Sequence, residues 1–318
     1  MILYAHLFGE VAQLVRAPDC RSGGRGFEPR PSRHFRPPEE NSGWFFLFYG
    51  ISFMIDFIKL IALAIVQGAT EFLPVSSSGH LVLTQSFINL EVEGVLIELL
   101  LHVGTILSIF IFYRKRIIEL IVGVFKGERI ALFYLLWVIV SMIPAGLLYI
   151  AVGDYIKNIY DNHIVVAILL LVTGSLMLSF RFLDKRESNK TLSPIKAFLI
   201  GCAQAFAVLP GISRSGSTIW TARLLRIKPE QAAEFSLFMS IPIIIGATLL
   251  ELIEAENTTA VLETYSMVEL LVAMFVTAFV GCLAIKLLVK TLVNRKFWIF
   301  GIYCFVVAIT SLAVALLG

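Results

Sequence analysis

From residue 54 onward the chain is dominated by long apolar stretches that do not alternate with polar positions. Six of them, at 94–112, 130–151, 163–182, 232–252, 267–287 and 297–317, are long enough to carry an α-helix across a bilayer, which takes about 20 residues. Two more, at 55–90 and 195–226, are broken by polar clusters. The first reads Leu73-Pro74-Val75-Ser76-Ser77-Ser78-Gly79-His80. The second reads Leu209-Pro210-Gly211-Ile212-Ser213-Arg214-Ser215-Gly216-Ser217-Thr218. Proline and glycine stop a helix and free backbone groups, which at membrane depth must face protein or a watery cavity. The pattern predicts an all-α polytopic membrane protein with six transmembrane helices and two re-entrant helix hairpins.

Composition narrows the class further. Of the 318 residues 58% are hydrophobic and 15% charged, against about 25% charged in an ordinary soluble domain. Mean hydropathy is +0.86. One soluble core cannot hide that much apolar surface. A β-barrel is excluded because its strands would alternate. The four cysteines, Cys20, Cys202, Cys282 and Cys304, show no metal spacing, and three lie in apolar stretches. The net charge of +3 gives no reason to expect a nucleic-acid partner.

Residues 1–53 differ from the rest. They hold six arginines, no lysine and five of the eleven prolines. They lack the basic start, apolar centre and small-residue cleavage site of a signal peptide. Residues 9–33 read like the translation of a transfer-RNA gene. The expectation is that 1–53 is an extension outside the functional domain, with Met54 as the true start; a disordered extension is the alternative. A tryptic peptide from 17–36 in the purified protein would defeat the start at Met54. The membrane domain is read as 54–318, with halves at about 54–183 and 195–318.

Loop charges orient the spans. Arg114, Lys115, Arg116, Lys126 and Arg129 follow the first span; Lys185, Arg186, Lys190 and Lys196 follow the third; Lys290, Arg295 and Lys296 follow the fifth. The 253–266 segment has Glu254, Glu256 and Glu263 and no basic residue, and 152–162 has Lys157 against Asp154 and Asp161. By the positive-inside rule the first three loops are cytoplasmic and the other two external. The first hairpin then enters from outside and the second from the cytoplasm. Each half is one hairpin plus three spans, so the halves have inverted topology. Inverted repeats with broken helices build sites near the midplane, and the two tips are expected to share one pocket.

Polar residues in apolar segments need a reason. Gln67 and Glu71 are four apart on the arm leading to the first break and share a helix face. Ser76, Ser77 and Ser78 open a new helix start, whose free N–H groups suit an anion. Ser77 and His80 are three apart, so hydroxyl and imidazole can lie on one face, as in an activated nucleophile. Alternatively the serines cap and the histidine bonds a carbonyl. Arg214 supplies a guanidinium suited to phosphate oxygens, with Ser213, Ser215, Ser217 and Thr218 as hydroxyls. An Arg214–Glu71 pair holding the halves together is also consistent with the pattern. His102 reads as a supporting polar residue, Glu234 follows the second hairpin closely, and Pro144 and Pro242 are expected to kink their spans.

At these residues the sequence resembles the undecaprenyl-diphosphatase family, the bacitracin-resistance phosphatases. The first match is Gln67-Gly68-Ala69-Thr70-Glu71-Phe72-Leu73-Pro74-Val75-Ser76-Ser77-Ser78-Gly79-His80, similar to the family's (Glu/Gln)-x-x-x-Glu motif and its serine/histidine continuation. The second is Pro210-Gly211-Ile212-Ser213-Arg214-Ser215-Gly216-Ser217-Thr218. Leu100–Thr105 and Ser240–Pro242 also fit, and the resemblance spans about 54–318. Many members have glutamate where this chain has Gln67, which leaves Glu71 as the main acid. The resemblance implies hydrolysis of undecaprenyl diphosphate to the monophosphate, recycling the lipid carrier of cell-wall precursors in the cell membrane, with bacitracin competing for the substrate. It implies catalytic roles for Glu71, Ser77, His80 and Arg214, with Ser77 attacking while His80 and Glu71 handle the proton, or with His80 attacking or activating water directly. Substrate contacts would come from Gln67, Ser76, Ser78, Ser213, Ser215, Ser217 and Thr218. A divalent cation, Mg²⁺ or Ca²⁺, would bind at Glu71. The site is expected to open to the external face, and a homodimer is compatible with it. A polyprenyl-phosphate transporter or flippase is the competing function, because it uses the same architecture. The acid-phosphatase lipid class would need a further histidine after Ser213-Arg214, and the sequence has none before Glu234.

Overall fold

The computed structural model describes residues 43–88, 95–160, 162–183, 190–254, 261 and 264–317. The chain divides into two units, Met1–Gly50 and Ile51–Gly318, and the second carries every site residue discussed below. Of the extension predicted for 1–53, residues 1–42 lie outside the described residues, as do the charged segment 184–189 and most of 255–263.

The structure is helical, and the described residues contain no strand beyond one isolated bridge between Lys190 and Ile227. Eleven described helices follow in chain order: α1 (Gly43–Thr70), α2 (Ser77–Ile88), α3 (Val95–Phe112), α4 (Arg114–Phe125), α5 (Arg129–Tyr160), α6 (His163–Leu183), α7 (Pro194–Phe206), α8 (Arg214–Leu224), α9 (Pro229–Glu254), α10 (Met267–Val293) and α11 (Ile299–Leu317). Both polar clusters interrupt their helices where the sequence predicted, between Thr70 and Ser77 and between Phe206 and Arg214.

The six predicted spans correspond to α3, α5, α6, α9, α10 and α11. Four contain a stretch long and apolar enough to cross a membrane: Arg129–Val152, Ile164–Leu183, Pro229–Leu250 and Met267–Val293. Helices α3 and α4 together pass the same test as a pair bent by 80°, and the apolar run of α11, Ile299–Val314, is shorter. The chain is a multi-pass membrane protein, with four such helices among the described residues, or five with the bent pair.

Residues 113–129, read from sequence as a charged loop, fold mostly as α4. Three basic residues open it, but Ile117-Ile118 and Leu120-Ile121-Val122 supply an apolar face. Arg116 anchors it, with Nε donating to Glu234 Oε1 on α9 at 3.0 Å and its guanidinium lying over the Tyr134 ring of α5. The helix α5 runs through Pro144, and its non-helical dihedrals fall at Val152 instead.

Packing follows membrane rules. The outer surface is apolar, with Phe125, Ile150 and Ile253 each at least 80% exposed. Close helix contacts use small residues, which let backbones approach. A Cβ on Gly68 of α1 would come within 2.6 Å of the Thr277 carbonyl on α10, and one on Gly201 of α7 would run into the Ser141 carbonyl of α5. These contacts seat the arm leading to each break. Phe72, fully buried, then packs the first break into the core with Met177, Phe180, Ile219 and Phe297.

Candidate active site

The two breaks meet. Gly211 N donates to Ser76 Oγ at 3.2 Å, and Ser215 Oγ donates to the Leu73 carbonyl at 3.2 Å. The second tip is fixed to α6, where Thr173 Oγ1 donates to the Gly211 carbonyl at 2.8 Å and accepts from Ser213 N at 3.0 Å. Gly211 has φ +95°, and a side chain there would strike the Val166 carbonyl, so only glycine fits this turn. Ser76 is also left-handed, with φ +68°, a strained conformation for a residue with a side chain.

Glu71 sits at the centre of the contact, 8% exposed. Arg214 Nη2 donates to its Oε1 at 2.6 Å. Ser77 Oγ donates to its Oε2 at 2.8 Å, and Gln67 Nε2 to the same oxygen at 3.2 Å. One carboxylate thus gathers a hydroxyl and an amide from the first half and a guanidinium from the second. Arg214 Nη1 is buried with no hydrogen-bond partner among the described residues. Helices α2 and α8 start at Ser77 and Arg214. Ser213 caps α8, accepting from Gly216 N at 3.1 Å. The α2 start is held differently, since the Ser76 hydroxyl is engaged across the tips.

These groups border a cavity of about 520 Å³, within the range of small-molecule sites. Gln67, Glu71, Ser76, Ser77, Ser78, Ser213 and Arg214 line it. Glu98, His102, Gln204 and Thr248 line it too. Of these, the sequence reading noted His102 as a supporting residue, and it marked neither Gln204 nor Thr248. Among the described residues no three His, Cys, Asp or Glu side chains gather as a metal site.

Four predicted residues lie off the cavity wall. Ser215 bridges the tips. Ser217 is 7% exposed on α8. Thr218 is fully buried, its hydroxyl donating to the Arg214 carbonyl at 2.8 Å and paired with Ser236 Oγ at 2.6 Å. His80 differs most from expectation. Its Nδ1 lies 2.9 Å from the Ser76 carbonyl and its Nε2 lies 2.9 Å from Tyr303 Oη. A carbonyl only accepts, so Nδ1 carries the hydrogen and, in the neutral ring, Nε2 accepts from the tyrosine. The Ser77 hydroxyl turns to Glu71 instead, because positions 77 and 80 bring imidazole and hydroxyl to one helix face but the carboxylate lies nearer. His80 and Tyr303 brace the left-handed Ser76. No spacing could reveal Tyr303, which is 223 residues away on α11.

A buried carboxylate bonded to a hydroxyl and a guanidinium, beside two helix starts in a polytopic helical chain, defines an integral membrane protein built around a shared polar pocket. The chain belongs to the bacitracin resistance protein BacA family, whose model matches residues 60–310. It is 42% identical over 251 residues to an undecaprenyl-diphosphatase of Methanococcus vannielii, covering 78% of this chain and 96% of that protein. An undecaprenyl-diphosphatase of Halothermothrix orenii is 36% identical over 262 residues, 82% of this chain and 99% of that protein. One of Bacteroides fragilis is 34% identical over 266 residues, with the same coverage.

Proposed function

We propose that the protein is an undecaprenyl-diphosphatase, hydrolysing a polyprenyl diphosphate to the monophosphate plus phosphate. The observation that carries this reading is the single carboxylate of Glu71 bonded to Ser77 on one side and Arg214 on the other, at the wall of the shared cavity. In phosphoryl transfer the protein mostly positions groups and stabilises charge, and these groups suit both tasks.

Ser77 Oγ attacks the terminal phosphorus and passes its proton to Glu71 Oε2. The bond from that phosphorus to the bridging oxygen breaks, and the polyprenyl monophosphate leaves. Water then attacks the phosphoserine, with Glu71 mediating the proton transfers, and releases phosphate. Arg214 Nη1 and the N–H groups opening α2 and α8 hold the non-bridging oxygens. His80 supports the turn that carries Ser77.

A divalent ion, Mg²⁺ or Ca²⁺, belongs to the proposal as a companion of the diphosphate. The donor set suits a minor share in its ligation: Gln67 Oε1 is a buried oxygen with no partner among the described residues, and it belongs to the side chain bonded to Glu71. Such ions bind through one or two protein oxygens plus substrate phosphates, and the bound ion would screen the diphosphate charge.

An apolar cavity of about 490 Å³ suits the isoprenoid tail. It is bordered by Phe110, Leu120, Val138, Met142, Ile241 and Pro242, and it shares α5 and α9 with the polar cavity. The finer topology we propose is six spans plus two re-entrant hairpins in an inverted repeat, in the cell membrane, with the site opening outward. The alternation of basic and acidic loops supports it. In that setting the enzyme recycles the lipid carrier for cell-wall synthesis and confers resistance to bacitracin, which competes for the same lipid.

The test is phosphate release from undecaprenyl diphosphate by the purified full chain in detergent, with and without chelator. The reading expects one phosphate per lipid, and absence of release at any metal concentration overturns it.

A further inference from the structure

Gln204 is a second amide in the same cavity wall, and its side chain makes no hydrogen bond among the described residues. It is 2% exposed on α7, it lines the polar cavity, and neither its Nε2 nor its Oε1 has a hydrogen-bond partner among the described residues. A buried amide with both ends unmade costs stability, so the position serves something other than packing.

The internal repeat points to what that is. Gln67 stands nine residues before Ser76, and Gln204 stands nine residues before Ser213. Both glutamines sit on the arm leading to a break, and both serines stand just before the helix that follows it. On the first arm the partner is Glu71, four residues on from Gln67. On the second arm the matching position, four residues on from Gln204, is Val208. The carboxylate exists once and the glutamine twice. The first glutamine serves the acid and the nucleophile, and the second keeps its donors for a ligand beside Arg214.

We infer that Gln204 is a specificity-determining residue: its amide N–H groups bind the phosphate that stays on the lipid, while Glu71, Ser77 and Arg214 work on the terminal one. This deepens the phosphatase reading and rests on it. Diphosphate would then be preferred over free phosphate because two phosphates engage two different arms. A neutral amide suits the task, since it adds a charge-assisted hydrogen bond without adding to the charge of Arg214.

The test measures farnesyl diphosphate hydrolysis by the full chain in detergent, for wild type, Gln204→Leu and Gln204→Asn. Inhibition by farnesyl methylenediphosphonate and by inorganic phosphate is measured alongside. Loss of a hydrogen bond to a charged group predicts a KM increase of roughly tenfold or more in both variants, with kcat within a few-fold. The Ki of the diphosphonate rises in parallel and that of inorganic phosphate does not. The leucine variant melts no lower than wild type, because it replaces an unpaired polar group with an apolar one of similar shape. A merely structural glutamine would instead lower the melting temperature and leave KM unchanged. Normal wild-type turnover with unchanged KM in both variants overturns this inference alone. A wild type that releases no phosphate overturns the phosphatase reading, and this inference with it.

Discussion

Replacing Glu71 by Gln and Arg214 by Gln, singly and together, separates what the pair does for the fold from what it does for the reaction. The ion pair spans 2.6 Å, and its side chains are 7% and 16% exposed. Two charges about 4 Å apart at an effective dielectric of about 20 attract by roughly 4 kcal/mol, and desolvation offsets much of that. Removing one partner is worse than removing both, because it strands the other charge, at a cost of about 3–5 kcal/mol for a buried pair. Among the described residues the Arg214 guanidinium has no second carboxylate bonded to it, so Glu71→Gln falls in that range. Glu71 keeps Ser77 and Gln67 when Arg214 is lost, so Arg214→Gln falls near its lower end. The double variant regains roughly 2 kcal/mol relative to the sum. At roughly 2–4 °C per kcal/mol, Glu71→Gln should melt about 10 °C below wild type in detergent, and the double variant should melt higher than the two separate losses predict. Phosphate release behaves otherwise. Loss of the general base lowers turnover by roughly 10²–10⁴, and the double variant recovers none of it. Strictly additive melting temperatures, or near-normal turnover in Glu71→Gln, would refute the reasoning.

Other consequences can be checked with the same protein. Ser77→Ala should lose turnover by roughly a thousandfold or more while still binding a diphosphonate, and near-normal turnover removes it as nucleophile. Tyr303→Phe deprives His80 Nε2 of its donor; a loss of about 1 kcal/mol and a several-fold fall in kcat without change in KM are expected, and unchanged melting and kcat would contradict the brace. Gly201→Ala drives a methyl into the Ser141 carbonyl and should cost about 1–3 kcal/mol in a thermal melt, whereas Gly246→Ala, with no atom within 4 Å, should be neutral or slightly stabilising. Met142→Trp fills the apolar cavity and should raise KM for the undecaprenyl substrate but not for the farnesyl one.

The elements were legible in the sequence because the bilayer makes them so. A helix that must satisfy every backbone group in hydrocarbon announces itself by length and apolarity, and α3, α5, α6, α9, α10 and α11 start within a few residues of their predicted spans, while α5 and α10 run past their predicted C-terminal bounds. The two breaks were legible because Pro74 and Pro210 disfavour continuing the helix before them, and the serines that follow suit a new helix start. The meeting of Glu71 and Arg214 was legible because the two breaks carry matching proline and serine clusters, from which one shared pocket was expected. What stayed hidden depends on distances that sequence spacing does not encode. Ser77 and His80 are helical neighbours, yet the hydroxyl turns to the carboxylate six positions upstream. Thr218 shares a motif with Arg214 but points its hydroxyl at Ser236. Tyr303 reaches His80 from the far end of the chain. The helix α4 was concealed by its opening Arg114-Lys115-Arg116, which reads as loop.

The most direct measurement is the position of the two phosphorus atoms of a bound farnesyl methylenediphosphonate in an experimental structure of the full chain. The account places one beside Ser77 Oγ with Arg214 on its oxygens and the other toward Gln204. Both atoms outside the cavity between the two helix breaks, or contacts to residues of one break alone, would contradict it.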